Sequence, residues 1–328
     1  MTNTISPALL DKIEIQVLVD NATDSLSSIP AHAESEFAYL DRHGMNELSG
    51  DALCCACHGF SLLITATCGE RKHAVLFDSG PEEYAFERNA NRLSLDLGIV
   101  ESVVLSHGHW DHSGGMLKAV DMVRAKNGGR TVPYYAHPGM FRSRARRLPS
   151  GEFRPMRDVP SVEALTARGA EVIATREARA LFDGMFVISG EIPRVTPFER
   201  GLPGHFQKSD DGSWVPDPLI IDERFLMVNV RGKGLVVFTA CSHAGVVNVL
   251  KHARSLAGNA AIHAVIGGFH LAGPNQKIIP ETVEALLELQ PRVIAAGHCT
   301  GWRAIVALAN ACGDGVLDPS VVGKRYTF

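Results

Sequence analysis

The chain has 328 residues, 45% of them apolar and 21% charged, with a formal net charge of −4. That balance suits one large globular domain and excludes a strongly basic nucleic-acid binder. No apolar run approaches the roughly 18 residues of a membrane span, and no basic leader precedes an apolar stretch at the start, so a cytoplasmic location is expected with no membrane partner.

In chain order, residues 12–21 (KIEIQVLVDN) alternate with a period of two and predict a strand. CCACH (54–58) crowds Cys54, Cys55 and Cys57 too closely for an ordinary zinc-ligand spacing, and no second pair completes it. Those cysteines are read as packing, and His58 as a residue with a local structural role or, alternatively, at a pocket mouth. The seven cysteines are odd in number and lack framework spacing, which predicts free thiols. Residues 60–68 and 73–80 predict two strands joined by the turn GERK, and 85–98 a helix. Residues 100–106 form a buried strand that runs into LSHGHWDHSGG (105–115), with a helix over 114–129 and a strand over 131–138.

Residues 139–170 are rich in Arg, Pro and Gly and read as a long excursion with little regular structure. The strands AEVIATRE and MFVISGEI follow, then a polar insert at about 200–218. The last third alternates strand and helix three times, which predicts an α/β architecture with helices covering the sheet faces. Four apolar strands end in histidine-bearing turns: VVLSHGHWDH, VVFTACSH, AVIGGFH and VIAAGHC. Loops at strand ends on a rigid sheet are where sites are built.

The opening cluster holds His107, His109, Asp111 and His112 within six positions. Imidazole and carboxylate are good ligands for zinc and other first-row ions. An H-x-H pair leaving a strand puts two rings on one side, and a tight turn then lets Asp111 and His112 face the other way. The pattern predicts one or two divalent ions, zinc first, with manganese or iron as alternatives.

H-x-H-x-D-H after an apolar strand resembles the signature of the metallo-β-lactamase superfamily. The resemblance implies an α/β fold of one domain over 1–328, a four-layer αβ/βα sandwich with two mixed sheets flanked by helices. CHGFSLLI, LFDSG, ISGEIPRVTPFE, FTACSHAGVVN, VIGGFHL and AAGHCTG extend the likeness to the branch labelled 7,8-dihydropterin-6-yl-methyl-4-(β-D-ribofuranosyl)aminobenzene-5′-phosphate synthase-like. By that likeness Asp78 in LFDSG supports the site from behind its ligands. His298 joins Asp111 and His112 on a second ion, and a bridging aspartate in many relatives has Cys241 near its place.

His243 is the expected third ligand of the first ion, because a strand-end imidazole can point into the site, with His270 as its rival. His270 could instead bond substrate or water, or sit satisfied in the core. Asp111 and His270 are the catalytic candidates. Cys241 could be a thiolate ligand, a redox-sensitive bystander or a small buried residue, and the buried reading is favoured. Glu191 is favoured as a support for the site and a salt-bridge partner of Arg194 over a direct ligand. Trp110 is placed at the pocket rim, where it could stack on a flat ring. Arg142, Arg144, Arg146, Arg147, Arg154 and Arg157 crowd the excursion, as a solvated face or as a lid or homodimer contact that attracts an anionic substrate.

The leading expectation is a metal-dependent hydrolase of a small-molecule ester, lactone, amide or phosphodiester. A pterin-related synthase and a non-catalytic metal-binding sensor are the alternatives. A flavin-linked reductase would need a cofactor domain for which the length leaves no room.

Overall fold

The computed structural model describes residues 5–313 and 315–328. Its first sheet has eight strands, in the spatial order Ala170–Ala174, Val132–Ala136, Val100–Val104, Arg71–Phe77, Ser61–Cys68, Lys12–Val19, Arg325–Thr327 and Ala33–Glu34. The second has seven: Arg179–Leu181, Phe186–Ile188, Leu226–Val230, Gly234–Thr239, Ile262–Gly268 and Val293–Gly297 in order, with Leu9–Leu10 beside Leu226–Val230. Both sheets mix parallel and antiparallel pairs.

The sequence folds this way because its strands are apolar on both faces. In Ser61–Cys68, Leu62, Ile64 and Ala66 join the central layer, while Leu63 faces the helices behind. In Gly234–Thr239, Val236 and Phe238 point into the same central layer and Leu235 and Val237 point out. Period-two geometry turns such runs into sheets buried on both sides. Helices Glu83–Arg92 and Met116–Lys126 cover the first sheet, and Val246–Leu256, Ile279–Leu289 and Trp302–Ala311 cover the second. The result is a four-layer αβ/βα sandwich, as the resemblance implies. Among the described residues no helix is long and apolar enough to cross a membrane.

Strand direction positions the site. Gly234–Thr239, Ile262–Gly268 and Val293–Gly297 are mutually parallel, so the turns that follow them share one edge of the second sheet. Arg71–Phe77 and Val100–Val104 are parallel as well, which puts Asp78 and the H-x-H-x-D-H turn together on the first sheet.

Two expectations are corrected. Residues 139–170, expected to hold little regular structure, and the polar insert at 200–218 carry regular structure that they share. Arg144–Arg147, Phe153–Pro155, His205–Lys208 and Trp214–Pro216 form one antiparallel four-stranded sheet, with helix Val162–Ala167 after its first two strands. Each strand has only three or four residues, and two of the four strands come from a distant segment, so neither segment reads as a sheet alone. The central strand Leu226–Val230 also goes unpredicted, because its five residues follow the charged DER and include Asn229.

Candidate metal centre

His107 and His109 leave strand Val100–Val104 as buried side chains, with Gly108 between them. A Cβ on Gly108 would lie 2.6 Å from the Met140 carbonyl oxygen, so the close approach requires glycine here. The one-turn helix Trp110–Ser113 then directs Asp111 and His112 the other way.

The hydrogen-bond network fixes each imidazole tautomer. The Ser106 hydroxyl donates to Asp78 Oδ2 at 2.7 Å and so accepts from His107 Nδ1 at 2.9 Å. That leaves the lone pair of His107 on Nε2. The Asp217 carbonyl accepts from His205 Nδ1 at 2.8 Å, so His205 Nε2 accepts from His109 Nε2 at 2.9 Å. That leaves the lone pair of His109 on Nδ1. These two lone pairs face each other at 3.0 Å with no proton between them. His243 stands over both rings at 4.9 Å between centroids, and neither of its buried ring nitrogens has a hydrogen-bond partner.

The other half follows the same logic. His112 Nδ1 donates to Asp78 Oδ2 at 2.8 Å, and His298 Nδ1 to Asn21 Oδ1 at 3.0 Å. Both Nε2 atoms then turn inward. Asp111 Oδ2 lies 3.6 Å from His112 Nε2 and 3.4 Å from His298 Nε2, and the latter nitrogen is buried without a partner. Cys241 Sγ lies 3.3 Å from His112 Nε2.

This donor set fits metal ions. His107, Cys241 and His243 form one group whose ligand atoms all lie within 4.8 Å of one another, and His112, Cys241 and His298 form a second. Buried lone pairs converging without protons are costly unless a cation lies among them. Burial, then charge on neighbouring imidazoles, lowers the pKa of His107, His109 and His243, which favours the neutral ligand form. Burial opposes a charge on His112 too, yet Asp111 and Asp78 outweigh it and raise the pKa to about 9. That acidic field would equally attract a metal cation at Nε2.

Backbone supports complete the edge. Asp20 Oδ1 accepts from the His298 amide at 2.8 Å, and Glu223 accepts from the amides of His243 at 2.7 Å and Ala244 at 2.6 Å. Burial raises Glu223 to about 7 against the pull of those amides and Arg194. Asp222 Oδ2 accepts from the Gly108 amide at 2.8 Å and is paired with Arg144 at 2.6 Å. Asp78, Ser242, His270 and His298 all have positive φ, between 42° and 59°, so the strand-end turns hold backbone strain.

The structure thus brings His107, His109, Asp111, His112, Cys241, His243 and His298 together, with Asp78 behind them. Cys241 is buried, as expected, and its Sγ lies within reach of both groups of candidate ligands. His270 forms a third group with Cys241 and Cys299, on the cavity side of His243. His58 Nδ1 accepts from Asn21 at 3.0 Å, which leaves its Nε2–H 3.4 Å from Asp111 Oδ2. Trp110 lines the outer cavity beside His58. Glu191 is a correction: it pairs with His137 at 3.0 Å and Arg176 at 2.9 Å, not with Arg194. Arg194 instead bonds the carbonyl oxygens of Ile192 and Leu219.

Asp20, Asn21, His205, Asp222 and Glu223 go unread in the sequence. A polar DN at the end of an apolar strand and the acidic pair before RFLMVNV are the signals that could have found four of them. His205 carries none, because only its pairing with Arg146 aims it at the site. Two contiguous cavities open over the histidines. The inner one, of about 290 Å³, is floored by Asp111, Cys241, His243 and His298. The outer one, of about 350 Å³, is walled by Trp110, Arg146, Met156 and His205.

Comparison with known proteins agrees with this geometry. The family model of the metallo-beta-lactamase superfamily matches residues 56–121. The chain is 29% identical over 249 residues to a Methanocaldococcus jannaschii protein named 7,8-dihydropterin-6-methyl-4-(beta-D-ribofuranosyl)-aminobenzene-5'-phosphate synthase, covering 75% of this chain and 82% of that one. An uncharacterized protein of the same organism is 28% identical, with 77% and 87% covered. A crystal structure described as a metal-dependent hydrolase of the beta-lactamase superfamily shares the fold, with a TM-score of 0.69 at 22% identity over 95% of this chain and 98% of that one. The motif, the four-layer fold and these matches together make the chain similar to proteins of the metallo-beta-lactamase superfamily, with the family model itself matched over residues 56–121.

Proposed function

We propose that this protein is a metal-dependent hydrolase that holds two divalent ions between the two sheet edges. The observation that carries this reading is the inward lone pairs of His107 and His109, 3.0 Å apart, with unpartnered His243 above them. His107 Nε2, His109 Nδ1 and His243 would hold the first ion, and Asp111, His112 and His298 the second. Cys241 Sγ would be shared, where many members of the superfamily place a carboxylate. A set of imidazoles with a thiolate and one carboxylate favours zinc over harder ions, with iron ahead of manganese.

When bound, such ions supply Lewis acidity and bring the pKa of water near 7. The chain's own groups do the rest. Asp111 presents a carboxylate held well below the usual range: burial opposes its charge, but His112 and His298 outweigh it. His58 offers a proton at Nε2 beside that carboxylate. His270, whose Nδ1 has no partner, stands at the cavity wall as the candidate to pass a proton to a leaving group. The four-stranded sheet forms one wall of the outer cavity through Arg146 and His205.

The test is elemental analysis of the purified protein together with turnover of an ester, a lactone, an amide and a phosphodiester. The expected result is close to two zinc ions per chain, with hydrolysis of at least one class that stops on chelation. A protein that neither carries nor takes up metal overturns the reading. The name of the Methanocaldococcus relative supports a second reading, a pterin-related synthase, and dihydropterin substrates belong in the same panel.

A further inference from the structure

The roof over the metal centre carries charges that the metal chemistry leaves unused. In its register His205 lies directly opposite Arg146, and Arg146 directly opposite Arg154. Residues directly opposite in antiparallel strands project from the same face. His205 reaches His109 at 2.9 Å, and Arg146 lines the outer cavity, so this face looks onto the site. Neighbouring strands lie about 4.8 Å apart. The row therefore steps outward from ligand His109 to His205, Arg146 and Arg154.

Two like charges directly opposite each other destabilise a sheet. Two arginines of the roof are paired with acids, Arg144 with Asp222 at 2.6 Å and Arg142 with Asp210 at 3.0 Å, whereas Arg147, on the other face, has no such partner among the described residues. Among the described residues neither Arg146 nor Arg154 has a carboxylate within ion-pair distance, and both are exposed. The other face of the sheet is different again, with Phe153 against Phe206 and Trp214. The charged pair is thus confined to the face that covers the cavity.

We propose that Arg146 and Arg154 form an anion subsite for the phosphate group of an organic phosphate monoester whose reacting centre lies over the histidines. Two guanidinium groups match the charge and oxygen count of a dianion, whereas a carboxylate is satisfied by one. Trp110, Met156, Leu202, Pro203 and Pro274 line the space between and give the body of the substrate an apolar wall. The cavity of about 350 Å³ has the size of a small-molecule pocket. The proposal rests on the hydrolase reading for where the substrate reacts, but the subsite itself does not need the ions.

The experiment is calorimetric titration of the purified protein with phenyl phosphate and with benzoate, with metal content measured in every preparation. Arg146→Gln and Arg154→Gln are each expected to weaken phenyl phosphate binding about tenfold and the double variant by more than thirtyfold. Metal content should stay unchanged, and the melting temperature should hold or rise slightly as the like-charge pair is relieved. Arg147→Gln, on the other face of the same strand, is the control and should bind as the parent does. A double variant that binds phenyl phosphate as tightly as the parent overturns the proposal, because the phosphate then sits on the histidine centre alone. So does an equal loss in Arg147→Gln, or tighter binding of benzoate than of phenyl phosphate. Arginine-dependent binding in a protein that holds no metal would sink the hydrolase reading and leave the subsite standing.

Discussion

In the second half of the metal centre a carboxylate orients the imidazole of His112, and a carboxamide that of His298. In the first half a hydroxyl orients His107, another histidine orients His109, and among the described residues no hydrogen bond orients the His243 ring. The supports also come from different places. Asp78 and Asn21 close strands of the first sheet, whereas His205 belongs to the roof. A carboxylate behind an imidazole raises its basicity and locks its ring, so the second half is the better preorganised and the first depends on the roof being in place.

The largest effect is expected where the halves meet. Cys241→Ala removes the donor they share and should leave fewer than one ion per chain by elemental analysis, while Cys241→Asp should restore two. Full occupancy in Cys241→Ala would show that the thiol only packs. Next, His243→Ala should weaken metal binding more than His270→Ala in chelator competition, and the reverse order would make His270 the third ligand. Asp78→Asn should weaken the second half by about 10–100-fold and the first half less, because Asp78 reaches His107 only through the Ser106 hydroxyl. Equal losses in both would erase the contrast between them. His205→Ala should do the opposite at smaller scale, near tenfold on the first half alone.

The smallest effect lies far from the ions and calibrates the rest. Burial, then Lys233, lowers His263 to about 4. The folded chain therefore binds fewer protons there than the unfolded chain between pH 6.5 and 4, so stability falls as pH drops through that window. His263→Phe should flatten this part of the melting-temperature profile without altering metal content. An unchanged slope would mean that another group carries it.

The candidate ligands that the structure brings together were largely legible because their chemistry is local. His107 to His112 are contiguous, and His243 and His298 stand at the ends of β-rich runs that announce themselves. What was illegible depends on pairing through space. His205 acquires its role only when its strand meets Arg144–Arg147, and that sheet joins segments with no shared periodicity. Glu223 and Asp222 precede a short strand that has no strong pattern of its own. Glu191 and Arg194 are neighbours in sequence, but the extended chain between them sends each to a different partner. The Cys241 thiol reads as packing by residue type, and only the facing histidines give its Sγ another use.

The roof sheet has a consequence for how this chain can change. Its two hairpins supply each other's inner edge through the pairing of Arg144–Arg147 with His205–Lys208. Deleting either segment would strand the other with a bare row of amides and carbonyls, an open template for aggregation. Changes of length at 139–170 and 200–218 are therefore coupled: a shorter relative is expected to have lost both segments, and a chimera that grafts one alone should come out insoluble.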